Sequence, residues 1–191
     1  MQYRNSKDAY GSIAQALHWV IAALVFIQLG IGVYVDDLPV SLARLQWLSW
    51  HKSLGFVIFI LAVLRLGWRF ASPAPPLPDS IPAIVRQLAR FTHWMLYALL
   101  IAAPLAGWMH ASAAGLGVNV FGWFALPNVV PRDPGLAELF HDTHSMLVWT
   151  LAALVVLHVA AALNHALVLR DGIVARMLPW TGTRRSKRGA P

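Results

Sequence analysis

Apolar residues fall in four long runs, separated by short polar or proline-rich stretches. The first covers about residues 11–35, is broken only by Ser12, Gln15, His18 and Gln28, and ends at Asp36, Asp37 and Pro39. The second, about 47–70, has His51 and Lys52 near its start and Arg65 and Arg69 near its end. The third, about 88–111, begins near His93, contains Pro104 and Gly107, and closes at His110. The fourth, about 144–169, carries His144, His158 and His165. A helix needs about 20 apolar residues to cross a bilayer core, and every run is long enough. The pattern predicts an all-α membrane protein, a bundle of four transmembrane helices.

The intervening stretches are connectors. Between the second and third runs, SPAPPLPDSIP puts five Pro in eleven residues and forbids a helix. Between the third and fourth, AGLGVNVFGWFALPNVVPRDPG is too rich in Gly and Pro to span. Its apolar centre is expected to lie back on the mouth of the bundle as an interfacial loop, and Pro104 is expected to kink the third helix. Residues 1–180 read as a single integral-membrane domain, and 181–191 as a basic, disordered cytoplasmic tail. The polar start MQYRNSKDAY has no short apolar core with a small-residue cleavage site, so no cleavable signal peptide is expected.

Composition agrees with the pattern: 58% of the 191 residues are hydrophobic and 12% charged, too apolar for an ordinary soluble domain. Of nine Trp, several fall near the ends of apolar runs, where indole suits the membrane interface. The chain has no Cys, which excludes disulfides, thiolate catalysis and iron–sulfur ligation. Any metal must be held by His or carboxylates. The charge of +7 invites a nucleic-acid reading, but the placement of Lys and Arg argues against it. With four spans the termini share a side, which collects twelve of the fifteen: Arg4, Lys7, Arg65, Arg69, Arg86, Arg90, Arg170, Arg176, Arg184, Arg185, Lys187 and Arg188. Arg44, Lys52 and Arg132 fall on the other. The excess places both termini in the cytoplasm, with the tail drawn to anionic lipid. No nucleic-acid partner is expected.

That topology sets the histidines at two depths. His18 and His158 come to one level on the cytoplasmic half, and His51 and His144 to one level on the outer half. In the fourth helix the fourteen residues between His144 and His158 return a side chain to within about 40° of its starting face, about 21 Å further along the axis. A lone intramembrane histidine is commonly an interhelical hydrogen-bonding residue. Four that pair by height across different helices suit another task, clamping a flat macrocycle. Haem iron needs two axial ligands beyond the porphyrin nitrogens, and neutral imidazole supplies both. With both axial positions filled, the favoured chemistry is outer-sphere electron transfer. Zinc or copper in the same pairs would leave a tetrahedral site half filled. His141, one turn before His144, is an alternative outer ligand, but its spacing to His158 turns it to another face by about 60°. His110 reads as a loop or interface residue.

The runs LHWVIAALVF, WHKSLGFVIFILAVLRLGWRF, THWMLYALLIAAPLAGWM and FGWFALP, followed by HDTHSM, LHVAAALNH and RDGIVARML, resemble in order and spacing the bacterial cytochrome b561 family over about residues 10–179. The resemblance implies a four-helix cytochrome with two b haems, ligated by His18 and His158 on the cytoplasmic side and by His51 and His144 on the outer side. It also implies an activity known in the family, oxidation of superoxide on the outer side with electrons passed to ubiquinone. Lys52, beside His51, is the local cation for steering superoxide or for a haem propionate. Asp36, Asp37, Asp133, Glu138 and Asp142 make the outer face slightly acidic, against any general funnelling of an anion. For the quinone site, His165 lies one heptad beyond His158, and His93, Arg90 and Trp94 begin the third helix at a similar level. The alternative is a haem-carrying subunit that links a periplasmic redox protein to the quinone pool, or a haem carrier or sensor without turnover.

Overall fold

A computed structural model describes residues 2–78 and 81–178. The basic tail at 181–191 lies outside the described residues. Four helices form the bundle: α1 (Ser12–Asp37), α2 (Leu42–Ala71), α3 (Ala83–Ala113) and α4 (Pro134–Leu163). A π-helical turn, Asn164–Leu169, continues α4, and a 3-10 turn, Val174–Met177, follows it. All four helices are long and apolar enough to cross a membrane, the fourth as a 36-residue unit with its π turn.

Helix α4 begins ten residues before the apolar run that predicts it. Asp133 caps it, accepting a hydrogen bond from the Leu136 N–H (2.8 Å), and Pro134 takes the first helical position, where its missing N–H costs nothing. His141 and His144 therefore both lie within a continuous helix. Helix α3 continues through Pro104 to Ala113.

The tightest backbone packing is α3 against α4 and α1 against α2, with α2 touching α3. Neither α1 nor α2 brings its backbone close to α4 along its length. Buried apolar residues include Ile21, Val25, Ile58, Leu99 and Leu151 as well as the small Ala62, Ala103, Ala106 and Ala111, while Phe26, Ile27, Leu64, Trp149, Val156 and Leu157 stand exposed. A bundle that exposes so many bulky apolar side chains, with small residues among those at its helix contacts, is suited to a lipid solvent.

The connector after α3 differs from the expected loop. Val118–Val120 (β1) and Phe124–Leu126 (β2) pair antiparallel, with Val118 opposite Leu126 and Val120 opposite Phe124. The turn is closed by the Trp123 N–H on the Val120 carbonyl (2.9 Å), and Phe121 and Gly122 both take positive φ (50° and 78°), the pattern of hairpin turns. Val118 and Val120 are buried with Ala111 against Phe56 and Trp108, so the hairpin is packed onto the ends of α2 and α3. At the opposite end of the bundle, the segment after α4 folds back on α1. Gln15 Nε2 donates to the Arg176 and Leu178 carbonyls (both 3.3 Å), and Trp19 Nε1 to that of Met177 (3.0 Å).

Candidate functional site

Two imidazole pairs bridge the helix pairs whose backbones stand apart. His18 of α1 faces His158 of α4 with ring centroids 6.4 Å apart and planes crossed at 84°. His51 of α2 faces His144 of α4 at 6.2 Å and 86°. The pairs form one at each end of the bundle, the first toward the termini and the second beneath the hairpin. A metal bonded to two imidazole nitrogens at about 2 Å, with roughly 1 Å more from each nitrogen to its ring centre, sets the centroids about 6 Å apart. Both pairs meet that spacing. Among the described residues, no group of three or more His, Cys, Asp or Glu converges on a point that could hold a metal ion. The donors thus come in twos, which suits a metal that brings its other ligands with it.

Local sequence explains how the hairpin-end rings are held. His144 Nδ1 lies 2.8 Å from the Ala103 carbonyl. A carbonyl only accepts, so Nδ1 carries the hydrogen and Nε2 keeps its lone pair for a metal. The same ring packs on Gly107, where an added Cβ would sit 3.1 Å from His144 Cε1 and Nδ1. His51 packs likewise on Gly32, where a Cβ would lie 3.3 Å from Cε1, and the His51 carbonyl accepts from Gln28 Nε2 (2.8 Å). His51 Nδ1 is buried without a hydrogen-bond partner. One turn from this pair, His141 meets His110 (centroids 5.2 Å apart), and His110 Nδ1 donates to the Ala137 carbonyl (2.9 Å). It is His144, not His141, that the fold sets opposite His51.

The sequence matches the family described as prokaryotic cytochrome b561 over residues 9–180, nearly the whole chain. The chain belongs to the prokaryotic cytochrome b561 family. It is similar to cytochrome b561 homolog 2 of Escherichia coli (strain K12), 33% identical over 186 residues, which cover 93% of this chain and 95% of that protein. It is also similar to the probable superoxide oxidase CybB of Yersinia pestis, 30% identical over 172 residues, covering 89% and 96%. Membership makes this chain a multi-pass membrane cytochrome of the electron-transfer class and implies b-type haem as its cofactor. The chemistry of the donor set fits that group: half-buried imidazole pairs at a single-metal spacing, with no thiolate anywhere in the sequence.

The other residues singled out in this cytochrome b561 sequence are dispersed. Lys52 follows His51 but turns to the hairpin, its Nζ donating to the Gly117 carbonyl (2.7 Å) and reaching that of Leu116 (3.5 Å). Its neighbour Ser53 lies within hydrogen-bond distance of the Ser49 (2.9 Å) and Asn119 (3.2 Å) carbonyls and accepts from the Phe121 N–H (3.0 Å). His93 is drawn into the terminal-end pair, 5.3 Å from His158 between ring centroids, with its Nδ1 donating to the Ala89 carbonyl (2.6 Å). Trp94 packs against Phe70 and Tyr97 and lies under the Arg69 guanidinium (5.7 Å). Arg90 is exposed. His165 sits in the π turn, its Nδ1 2.5 Å from Asp171 Oδ2. Among the described residues, no hydrogen bond or ring contact joins His165 to His93, Arg90 or Trp94.

Sequence reasoning missed Gly32, Gly107, Arg65 and Asp171. Only Asp171 carried a local signal, an acid six residues after His165 where an α-helix would not bring the two together. The π turn and the left-handed Arg170 (φ 50°) fold the chain back and make the contact. Partial burial of Asp171 works to raise its pKa. The His165 and Ile173 N–H contacts outweigh that and hold the carboxyl below its ordinary range.

Proposed function

We propose that this chain holds two b haems, one between His18 and His158 and one between His51 and His144, and passes electrons through them from superoxide at the hairpin end to ubiquinone at the terminal end. The observation that carries this reading is the near identity of the two imidazole pairs, 6.4 Å and 84° against 6.2 Å and 86°, built by different helix partners of α4. When bound, haem supplies reversible one-electron storage at each level. The protein's share is placement. Ala103 fixes the His144 tautomer, Gly32 and Gly107 leave room for the rings, and α4 sets the distance between levels, about 21 Å along its axis for fourteen residues.

Superoxide is a one-electron reductant that needs no covalent handling, and two deliveries match the two electrons and two protons that turn a quinone into a quinol. The direction is supported by the relative named probable superoxide oxidase and by the excess of Lys and Arg near the termini, which favours the cytoplasmic side for that end. Lys52 contributes a cation at the hairpin end while tying Gly117 to α2. At the terminal end, His165 with Asp171 is the candidate for delivering protons to quinone, and His93, Trp94 and Arg90 are candidates for its walls. The test is stopped-flow mixing of the oxidised, haem-loaded protein with superoxide, with and without a quinone, followed by the reduced-minus-oxidised absorbance change. Superoxide should reduce the haem and quinone should reoxidise it, and a haem that superoxide leaves oxidised overturns the reading.

One observation favours a second reading. Trp123 is 82% exposed at the tip of the hairpin, with Phe124 beside it also exposed, an aromatic surface next to the His51–His144 level. A periplasmic redox protein seated there would make the chain a partner-dependent electron carrier, with haem reduced by that partner and inert to superoxide.

A further inference from the structure

At the terminal end a cleft is lined by residues that include Asn5, Tyr10, Arg65, Trp68, Arg69 and Tyr97. Its chemistry is one-sided. Arg65 and Arg69 are cations one turn apart on the same face of α2. The Trp68 indole can only donate, and its Nε1 is buried with no hydrogen-bond partner. Burial raises the Tyr10 phenol above its ordinary pKa despite Arg69 and Arg65, so it too remains a donor. Arg65 spends one N–H on the Ala14 carbonyl (2.8 Å) and bonds the Tyr97 side chain, while Arg69 lies over the rings of Trp94 (5.7 Å) and Tyr97 (5.8 Å).

Charge balance is missing. The groups that act on Arg65 are Tyr97, Tyr10 and Arg69, and those on Tyr10 are Arg69, Arg65, Tyr97 and Arg176; among the described residues no carboxylate is one of them. Half-buried cations side by side, with an unpaired buried N–H between them in sequence, are satisfied by a ligand that only accepts hydrogen bonds and carries negative charge. Position narrows its source. The Ala14 carbonyl that holds Arg65 lies one helical turn before His18, and the Arg65 charge reaches His18, His93 and His158.

We propose that this cleft is an oxyanion site whose occupant is a carboxylate of the haem held by His18 and His158, with Arg65, Arg69 and the Trp68 indole as its donors. The inference rests on the haem reading above. The phosphate of an anionic lipid has the same chemistry, and the test separates the two sources.

The test uses the haem-loaded protein in nanodiscs, with haem carrying 13C at its carboxyl carbons. Redox-difference infrared spectra of the wild type are compared with Arg65→Gln/Arg69→Gln and Arg65→Lys/Arg69→Lys, and haem content is measured for each. The expected result is a shift of the labelled carboxylate bands in the Gln pair, restored in the Lys pair, with haem release to excess apomyoglobin about tenfold faster in the Gln pair, as loss of a charge-assisted hydrogen bond requires. If the Gln pair retains no haem, Trp68→Phe removes the indole donor alone and must shift the same bands. Bands that stay fixed while phosphatidylglycerol, counted by 31P NMR, no longer co-purifies with the Gln pair keep the oxyanion site and assign it to lipid. Bands and lipid both indifferent to the substitutions overturn the site. A His158→Ala protein that keeps its full haem content overturns the haem reading instead, leaving the lipid arm to decide the cleft.

Discussion

His51 and His144 face each other across the gap between α2 and α4 with ring centroids 6.2 Å apart, and the ring of His144 is pinned by the Ala103 carbonyl. His18 and His158 repeat the spacing at the other end of α4. If each pair holds one haem, removal of one imidazole empties one level only. His144→Ala and His158→Ala are each expected to halve the haem-to-protein ratio, measured as the pyridine haemochrome, and to delete different components of the low-temperature α-band. His141→Ala, whose ring meets His110 instead, should leave the ratio unchanged. Two haems surviving in His144→Ala would return the assignment to His141.

The glycines against the rings give a steric test. A Cβ at Gly107 would lie 3.1 Å from His144, and one at Gly32 would lie 3.3 Å from His51, closer than ordinary packing allows. Gly30 has nothing within 4 Å of such a Cβ. Overpacking of this kind costs about 1–3 kcal/mol, here against a ring whose position sets metal affinity. Gly107→Ala should lower haem retention at the hairpin-end level several-fold, Gly32→Ala less, and Gly30→Ala not at all. Haem occupancy and thermal unfolding of the three variants check the order, and equal behaviour of Gly107→Ala and Gly30→Ala would remove the steric argument.

Much of this arrangement is legible in the sequence because a membrane leaves few choices. Four apolar runs fix four spans, alternating direction fixes the depth of every residue, and His18, His51, His144 and His158 then fall into level pairs by counting alone. What stays hidden depends on contacts between elements. Gly32 and Gly107 look like ordinary small residues of membrane helices until a ring is seen against each. The hairpin escapes notice because its strands, Val118–Val120 and Phe124–Leu126, are three residues long and its turn uses Phe-Gly where Asn-Gly would have signalled it. The early start of α4 at Pro134 is hidden by Glu138 and Asp142, which break the apolar run but face outward in a helix already capped by Asp133.

Lys52 has two separable roles. Its Nζ donates to the Gly117 carbonyl (2.7 Å), so the side chain holds the hairpin, and its charge lies beside His51. Lys52→Met removes both, whereas Lys52→Arg keeps the charge and a donor. Hydrogen exchange in residues 116–121 should quicken in Lys52→Met and stay near wild type in Lys52→Arg. Superoxide-driven haem reduction should slow in Lys52→Met at low ionic strength, and the gap from wild type should narrow as salt screens the charge. A rate difference independent of salt would assign Lys52 to the hairpin alone.

The His165–Asp171 contact predicts a pH response at the other end. Asp171 is held below its ordinary range, chiefly by its contacts with His165 and the Ile173 N–H acting against the effect of burial. A carboxyl with a depressed folded pKa contributes order that is present above its unfolded value, about 3.9, and is lost as pH falls through the lower folded value. The π turn at Asn164–Leu169 should therefore keep its hydrogen-exchange protection from neutral pH down to about 4 and lose it below. Asp171→Asn should weaken that protection at neutral pH. The carboxylate also keeps the His165 Nδ1 occupied and leaves Nε2 for a substrate. If His165 serves quinone, Asp171→Asn slows haem reoxidation by quinone several-fold while superoxide-driven reduction is unchanged. Slowing of both steps together would mean that the contact supports the fold at the end of α4 and has no part in quinone chemistry.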